Sequence, residues 1–356
     1  MITAYGWSDA LARDFEPYAA EGLVPGRVIV QQRGGYRLIT ERGEVEARAA
    51  AQLMKEAGET EAPAAGDWVA AEIVGDEALI RRVLPRSTAF VRRASGPRGG
   101  AQVVAANADV AFLVTSMNAD FSLRRLERYL ATAHESGAEP VVVLTKADLS
   151  DRVEAHLEEA RSVALDAPVL AVSARTGLGL DGLAVHLPPG RTAVLLGTSG
   201  AGKSTLVNAL AGQERMDTGE IREDDARGRH TTTHRELVLL PGGGLILDTP
   251  GMRELGLWQS EAGLAVAFAD IEALAAECRF RDCGHGSEPG CAVRAAIEQG
   301  RLDEARLLSH QKLQGELAFE RRREDPRAEQ ANRKLWATKT KAARVHIRAK
   351  RRIEEE

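Results

Sequence analysis

The stretch Thr192–Gly212, TAVLLGTSGAGKSTLVNALAG, decides how the chain is read. TAVLL is a strand-forming run. Gly-Thr-Ser-Gly-Ala-Gly-Lys-Ser follows at Gly197–Ser204, and a helix-forming segment closes at Gly212. Strand, glycine-rich turn and helix in that order predict an α/β unit whose turn wraps an anion. The glycines let backbone N–H groups converge on phosphates, and the helix N-terminus adds its dipole. Gly197, Thr198, Ser199, Gly200, Ala201 and Gly202 form the cradle, continued by Thr205 in the first helical turn. Lys203 is placed to reach the β and γ phosphates of a nucleotide, and Ser204 to ligate its Mg²⁺.

Working outward, residues 96–259 alternate strands and helices. Asp109–Met117, Val141–Asp148, Ala167–Ala174 and Thr192–Gly200 hold apolar strands. Ser122–Gly137 and Asp151–Leu165 read as helices; Ser122 can cap the first, where Leu123, Leu126, Leu130 and Ala133 share a face. Glu236–Gly251, ELVLLPGGGLILDTPG, reads as a hairpin turned at Gly242–Gly244. This alternation predicts a mostly parallel sheet with helices on both faces.

Residues 1–95 have a different texture. Gly26–Val30, Tyr36–Ile39, Asp67–Val74 and Ala78–Leu84 are short β-rich runs punctuated by glycines, which predicts a small OB-like β-barrel. Glu46–Pro63 reads as a helix or a loop insertion within it, and Ser95–Gly100 as a hinge. Residues 260–356 read as a mostly helical, increasingly charged third domain. A chain of 356 residues accommodates this count. Nothing approaches eighteen consecutive apolar residues, which excludes a membrane-spanning helix, and Met1–Ala20 lacks a signal-peptide pattern. Three cysteines make no disulfide framework and fit a reducing, cytoplasmic setting.

Thr145-Lys146-Ala147-Asp148 ends a buried apolar run and selects the base. The Asp148 carboxylate can accept from guanine N1–H and the exocyclic amine together. Adenine offers no such pair and would leave a buried carboxylate unpaired. Lys146 can lay its stem along the base, and Ser173-Ala174 can donate a backbone N–H to the guanine carbonyl. Asp248-Thr249-Pro250-Gly251 ends another strand, with Asp248 placed to hold Mg²⁺ through water and the Gly251 N–H to sense a γ phosphate. In Gly228–His234, GRHTTTH, Thr232 is the candidate Mg²⁺ ligand, and His230, with His234 behind it, the candidate to position the attacking water. Met252 follows D-x-x-G where many GTPases place a glutamine, so slow unaided hydrolysis is expected.

All the cysteines fall in one motif. Cys278, Cys283, His285 and Cys291 are spaced C-x₄-C-x-H-x₅-C, a tetrahedral Cys₃His set for one structural Zn²⁺, with His310 as an outside candidate for the histidine. The net charge of −5 hides a basic end: Arg333–Arg352 carries nine Lys/Arg and no acid. That stretch suits RNA phosphates, and Trp336 and His346 could stack on exposed bases. With a barrel and a zinc knuckle in the same chain, rRNA is the favoured nucleic acid.

The order of these motifs is T-K-A-D, S-A-R, phosphate loop, T-T-T, D-T-P-G, a circular permutation of the usual GTPase order. Together with the barrel in front and the zinc motif behind, it resembles the circularly permuted, ribosome-small-subunit-dependent GTPases of bacteria, over nearly the whole chain. One departure is Thr145, where the usual motif has asparagine; a hydroxyl keeps one hydrogen bond and loses the amide's reach. The resemblance implies a GTP hydrolase that binds the small ribosomal subunit and its rRNA, assists late maturation beside other maturation factors, and leaves after hydrolysis. It also implies a role for His230. A monomer is expected. The alternatives are an RNA-binding assembly scaffold whose GTP only regulates affinity, and a permuted GTPase of the large subunit. The permutation places Thr231–Thr233 and Asp248–Gly251 next to the third domain, through Met252–Trp258.

Overall fold

Alternation of apolar and polar residues in the first hundred positions builds one closed barrel, and the strand that opens it also reaches the nucleotide-type sheet. The computed structural model describes residues 1–32, 34–56, 60–93, 100–212, 235–248 and 261–324. A 3₁₀ turn (Ile2–Tyr5) and helix α1 (Asp9–Ala19) precede β1 (Val24–Gln32), β2 (Gly35–Thr40), β3 (Gly43–Ala49), α2 (Ala51–Glu56), β4 (Trp68–Val74) and β5 (Glu77–Val83). The strands pair in the order β1-β2-β3-β5-β4 and close from β4 back to β1; β3 and β5 run parallel and the other pairs antiparallel. This five-stranded barrel is the OB-like domain expected from sequence. Val28, Leu38, Ala47, Val69, Ala71 and Ile80 fill it. Helix α1, capped by Ser8, which accepts from Leu11 N, packs Phe15 with Ile2 and Trp68 beneath it.

Glu46–Pro63 is neither all helix nor all insertion. Its first four residues finish β3, and among the described residues of the stretch Ala51–Glu56 is helical. Val45 and the buried Ala47 pack inward while Glu44, Glu46 and Arg48 lie on the outer side, a period-two pattern that the alanine content masks. A further hairpin, β6 (Ala89–Arg93) with β7 (Ala101–Ala106), straddles the expected hinge; residues 94–99 lie outside the described residues.

The central sheet follows. It comprises β8 (Val110–Ser116), α3 (Leu123–Ser136), β9 (Glu139–Thr145), α4 (Val153–Ala164), β10 (Val169–Ala171), α5 (Leu180–Ala184), β11 (Thr192–Leu196), α6 (Lys203–Ala211), β12 (Arg235–Leu239) and β13 (Leu245–Asp248). Strand order is β10-β9-β8-β11-β13-β12, parallel except for the β12–β13 hairpin. The helices cover both faces: Leu113, Leu144 and Leu196 pack toward α3 and α4, whereas Phe112, Val143 and Leu195 pack toward α5 and α6. Ser122 stands at the N-cap of α3, but its side chain makes no capping bond. Burial of Leu126 and Leu130 instead fixes that helix, each contributing about 1.5–3 kcal/mol.

The last elements are α7 (Glu261–Ala267), α8 (Ala269–Ala276), α9 (Ala292–Glu298) and α10 (Glu304–Glu324). Leu264, Phe268, Ile271, Val293 and Leu307 share one core with α3. Arg306, almost fully buried, pairs with Glu127 of α3 and Asp270 of α8 and lies over the Phe268 ring, while Arg128 of α3 pairs with Glu316 of α10. Among the described residues no helix is long and apolar enough to cross a membrane.

Barrel and sheet meet through β1. Its far end pairs antiparallel with β12, Val30 opposite Glu236 and Gln31 opposite Arg235. Three residues earlier, Arg27 is buried. Its Nε donates to Gly66 O (3.2 Å), Nη1 to Tyr5 O, and Nη2 to Asn107 O (3.0 Å) and Thr192 Oγ1 (2.9 Å). Burial lowers its pKa to about 10, against the opposing pull of Asp109 and Asp67, so it stays cationic at neutral pH. Gly66 is required beside it: at φ +90°, a Cβ there would sit 2.1 Å from Ala106 O. Replacing Arg27 with Met keeps volume and removes every donor. Urea unfolding is expected to show a loss of about 3–5 kcal/mol, because several buried acceptors lose their partner at once. A loss under about 1 kcal/mol would mean water replaces the guanidinium there.

Candidate nucleotide and metal sites

Parallel strands place their carboxyl ends at one edge, and the sequence candidates collect there. Gly197–Gly202 links β11 to α6. Gly197 passes so close to β8 that a Cβ would lie 2.5 Å from Val114 O, so only glycine fits. Gly200 and Gly202 have positive φ, and Gly202 occupies the N-cap of α6. Lys203 Nζ donates to Gly197 O (2.7 Å) and Thr198 O (2.6 Å), folding over the loop it follows. Ser204 and Thr205 stand in the first turn of α6, which closes at Gly212 as expected.

Two strands away, β9 ends at Thr145. Its side chain is buried, and Oγ1 donates to Ala201 O at 2.6 Å, with Thr115 O at 3.3 Å. The hydroxyl at the asparagine position therefore fastens the candidate base loop, Thr145–Asp148, to the candidate phosphate loop, Gly197–Ser204. Lys146 follows in the left-handed region at φ 60°, which turns the chain out of the strand; Ala147, buried, bonds through its N–H to Val172 O. Asp148 is exposed rather than buried. A penalty against adenine at this carboxylate would therefore need a bound base to cover it. Beyond β10, Ser173 is fully buried; its Oγ accepts from Thr176 N (3.2 Å) and its main-chain O from Gly177 N (2.9 Å). Ala174 is half-buried next to it. Asp248 ends β13, opposite Glu236 of β12, and the hairpin turns at Gly242–Gly244 as expected. His230, Thr232, His234, Gly251 and the Met252–Trp258 connection lie outside the described residues, as does the basic stretch Arg333–Arg352.

The metal candidates converge on the loop between α8 and α9, which Arg294 of α9 and Gln311 of α10 brace by donating to Gly286 O and Gly284 O. Cys278 follows α8, Cys291 caps α9, and the loop between brings Cys283 and His285 to them. The four ligand atoms lie within 4.8 Å of one another. Cys278 Sγ is 3.9 Å from Cys291 Sγ, and His285 Nδ1 is 3.7 Å from Cys278 Sγ and 3.5 Å from Cys291 Sγ. Bonds of about 2.3 Å to sulfur and 2.0 Å to nitrogen put tetrahedral ligands about 3.5–3.8 Å apart, so this cluster could hold one zinc ion. The Arg294 N–H bonds to Cys291 Sγ at 3.4 Å. Sequence reading missed the latch of this loop: the Glu288 carboxylate accepts from Gly284 N (3.0 Å) and Gly286 N (2.7 Å). Donation by the backbone of Glu288 itself, Gly284 and Gly286 holds that carboxyl below its usual range. A glutamate close behind G-H-G was the available signal. His310 is not a member of the cluster; its ring is tilted 42° to that of Phe268 with centroids 5.0 Å apart, and its Nε2 lies 3.2 Å from Glu272.

The comparisons with known proteins agree with this arrangement. The family model described as RsgA GTPase matches residues 83–258. Curated relatives named small ribosomal subunit biogenesis GTPase RsgA include one from Opitutus terrae, 47% identical over 94% of this chain and 95% of its own length. Another, from Streptomyces coelicolor, is 48% identical over 98% and 96%. Among solved structures, YjeQ from Thermotoga maritima superposes with a TM-score of 0.63 at 25% identity, covering 83% of this chain and 99% of that one. YloQ, described as a circularly permuted GTPase, gives 0.58 at 25% identity, covering 83% and 95%. A permuted motif order on an undisturbed sheet edge, a barrel in front, a Cys₃His cluster behind, and relatives near half identity over almost the full length together mean that the chain belongs to the RsgA GTPase family.

Proposed function

We propose that the protein hydrolyses GTP while bound to the small ribosomal subunit, assists late maturation of that subunit, and dissociates after hydrolysis. The observation that carries this reading is the Thr145–Ala201 bond at the sheet edge, which joins a guanine-type loop to a phosphate-type loop in a chain whose relatives are named small ribosomal subunit biogenesis GTPases. The protein works in the cytoplasm as a monomer, alongside other maturation factors. Its working divisions are a barrel (1–95), a GTPase domain (96–259) and a zinc-binding helical domain (260–356) whose basic end contacts rRNA.

In this reading Gly197–Thr205 wraps the phosphates with backbone N–H groups, and Lys203 leaves its carbonyl partners for the β and γ phosphates. Asp148 and Lys146 hold the guanine, with Ser173 and Ala174 at its carbonyl. Ser204, Thr232 and Asp248 would hold Mg²⁺, which neutralises charge on the phosphates when GTP is bound. Water attacks the γ phosphorus as the bond to the β–γ bridging oxygen breaks, leaving GDP and phosphate. His230 orients that water, and Gly251 reports the γ phosphate. Zn²⁺ on Cys278, Cys283, His285 and Cys291 is structural, with four protein ligands and no open position.

Guanine selectivity tests the base loop. Asp148→Asn should weaken GTP binding and favour xanthosine triphosphate, because an amide can donate to the second carbonyl of xanthine. Equal GTP and ATP affinity in the parent protein would overturn the assignment.

The metal reading predicts about one zinc per chain in protein purified without chelator. Cys283→Ser should abolish that stoichiometry and speed proteolysis after α8 while leaving GTP affinity intact. Elemental analysis finding no zinc would refute it.

Hydrolysis titrated with purified small and large subunits tests the partner. Small subunits should accelerate it strongly and large subunits should not; the reverse would assign the large subunit. His230→Ala should remove about 10²- to 10⁴-fold of the stimulated rate with GTP affinity nearly unchanged, the range for a positioned acid–base group. An unchanged stimulated rate would mean that another group positions the water.

A further inference from the structure

The loop from Met117 to Ser122 ends β8, and none of the GTPase motifs covers it. Its place is informative. β8 lies between β9, which ends in the base loop, and β11, which ends in the phosphate loop. The loop therefore emerges at the same sheet edge, between the two.

It is braced internally and joined on both sides. Asn118 Oδ1 accepts from Ser116 Oγ (2.8 Å) and from Asp120 N (3.1 Å). Phe121 sits edge-on to His156 of α4 at 4.8 Å, and His156 Nδ1 is 3.3 Å from Ser150 Oγ, just past the base loop. On the other side, Asp120 Oδ2 accepts from Thr198 Oγ1 of the phosphate loop at 3.0 Å. Arg125 holds the same carboxylate through two nitrogens, Nη1 to Oδ2 (3.0 Å) and Nη2 to Oδ1 (3.2 Å), and Nη1 also donates to the Asp120 main-chain O (3.0 Å).

A bare carboxylate beside a phosphate site would repel the nucleotide. The bidentate arginine offsets that charge and fixes the plane of the acceptor. What remains is a rigid acceptor for one hydroxyl of the loop.

We propose that Asp120, neutralised by Arg125, is a positioning residue for GTP hydrolysis: it fixes the phosphate loop through Thr198 Oγ1 without touching the nucleotide. The proposal rests on Gly197–Ser204 being the phosphate site. Two losses separate by chemistry. Cutting the tie at either end releases the loop and slows the chemical step. Removing the arginine alone leaves an uncompensated anion, which weakens GTP binding in a salt-dependent way.

The test uses the full-length protein, with single-turnover GTP hydrolysis and equilibrium binding of a fluorescent GTP analogue measured side by side. Thr198→Val and Asp120→Ala should each slow hydrolysis about tenfold, the effect of losing one charge-assisted hydrogen bond at a positioned group; Thr198→Val should change affinity by less than about twofold, and Asp120→Ala, which also frees the Arg125 cation, should tighten binding at low salt only. The double variant should be no slower than the singles, because both remove the same interaction. Asp120→Asn, which keeps an oxygen for the hydroxyl, should recover most of the rate. Arg125→Ala should weaken binding at low salt and lose that defect at high salt. Multiplicative singles, or singles within about twofold of the parent rate, would overturn the clamp while leaving the phosphate site standing. A parent protein that binds no guanine nucleotide would overturn both.

Discussion

The buried guanidinium of Arg27 is the contact on which the arrangement of the two β-rich domains depends. It sits where the barrel, the β7–β8 connection and the strand β11 meet, and each contributes an acceptor: Gly66 O, Asn107 O and Thr192 Oγ1. Thr192 is the first residue of β11, and Asp109, one residue before β8, accepts from Thr192 N at 2.7 Å. The amino ends of the two central strands are thus tied into the barrel, and their carboxyl ends carry the loops of the candidate site. Taking a charged group out of water is expensive, and only a full set of acceptors makes it tolerable. The requirement for all of those acceptors at once specifies how the barrel docks.

The same tie explains how the motif order can be permuted without loss of the site. A sheet edge is defined by strand neighbours and direction, not by chain order. Here β8, β9 and β10 come first in sequence and β11 and β13 later, yet they pair in one parallel set. What must survive a permutation is the short-range fastening between loops. Thr145 supplies it with a 2.6 Å bond to Ala201 O. The departure from asparagine at this position leaves the loop-to-loop link in place.

The parts of the fold that follow from local pattern were legible in the sequence. The strand–loop–helix of Thr192–Gly212, the helix of Leu123–Ser136 and the Gly242–Gly244 hairpin turn each carry their own periodicity and breakers. The Cys₃His spacing was equally local. β3 was not legible, because Ala47 and Ala49 are as helix-prone as the residues of α2 that follow; the partner strand β5 decides their state. The hairpin β6–β7 was not legible either, since its pairing spans the presumed hinge. Asp148 looked buried because it follows a buried strand, but Lys146 at φ 60° turns it outward. Asp120 carried no signal at all: a lone aspartate in a loop acquires meaning only when the sheet sets Thr198 beside it.

Helix α3 joins these observations into one constraint on the third domain. One end of α3 receives the loop that grips Thr198; its middle presents Glu127 and Arg128 to the last helices. Glu127 is fully buried and is held by Arg124 of its own helix and Arg306 of α10, while Arg306 also takes Asp270 and the carbonyl of Ala267. A buried carboxylate that has lost its partner is costly, so the helices that carry the Cys₃His cluster cannot lift from α3 without exposing Glu127 to water or stranding it. Between these contacts Leu126 and Leu130 lie in the shared core, leaving little room for the helix to slide. The third domain is therefore seated on a helix whose other end reaches the phosphate loop. Its seating and the geometry of that loop are constraints on one rigid element.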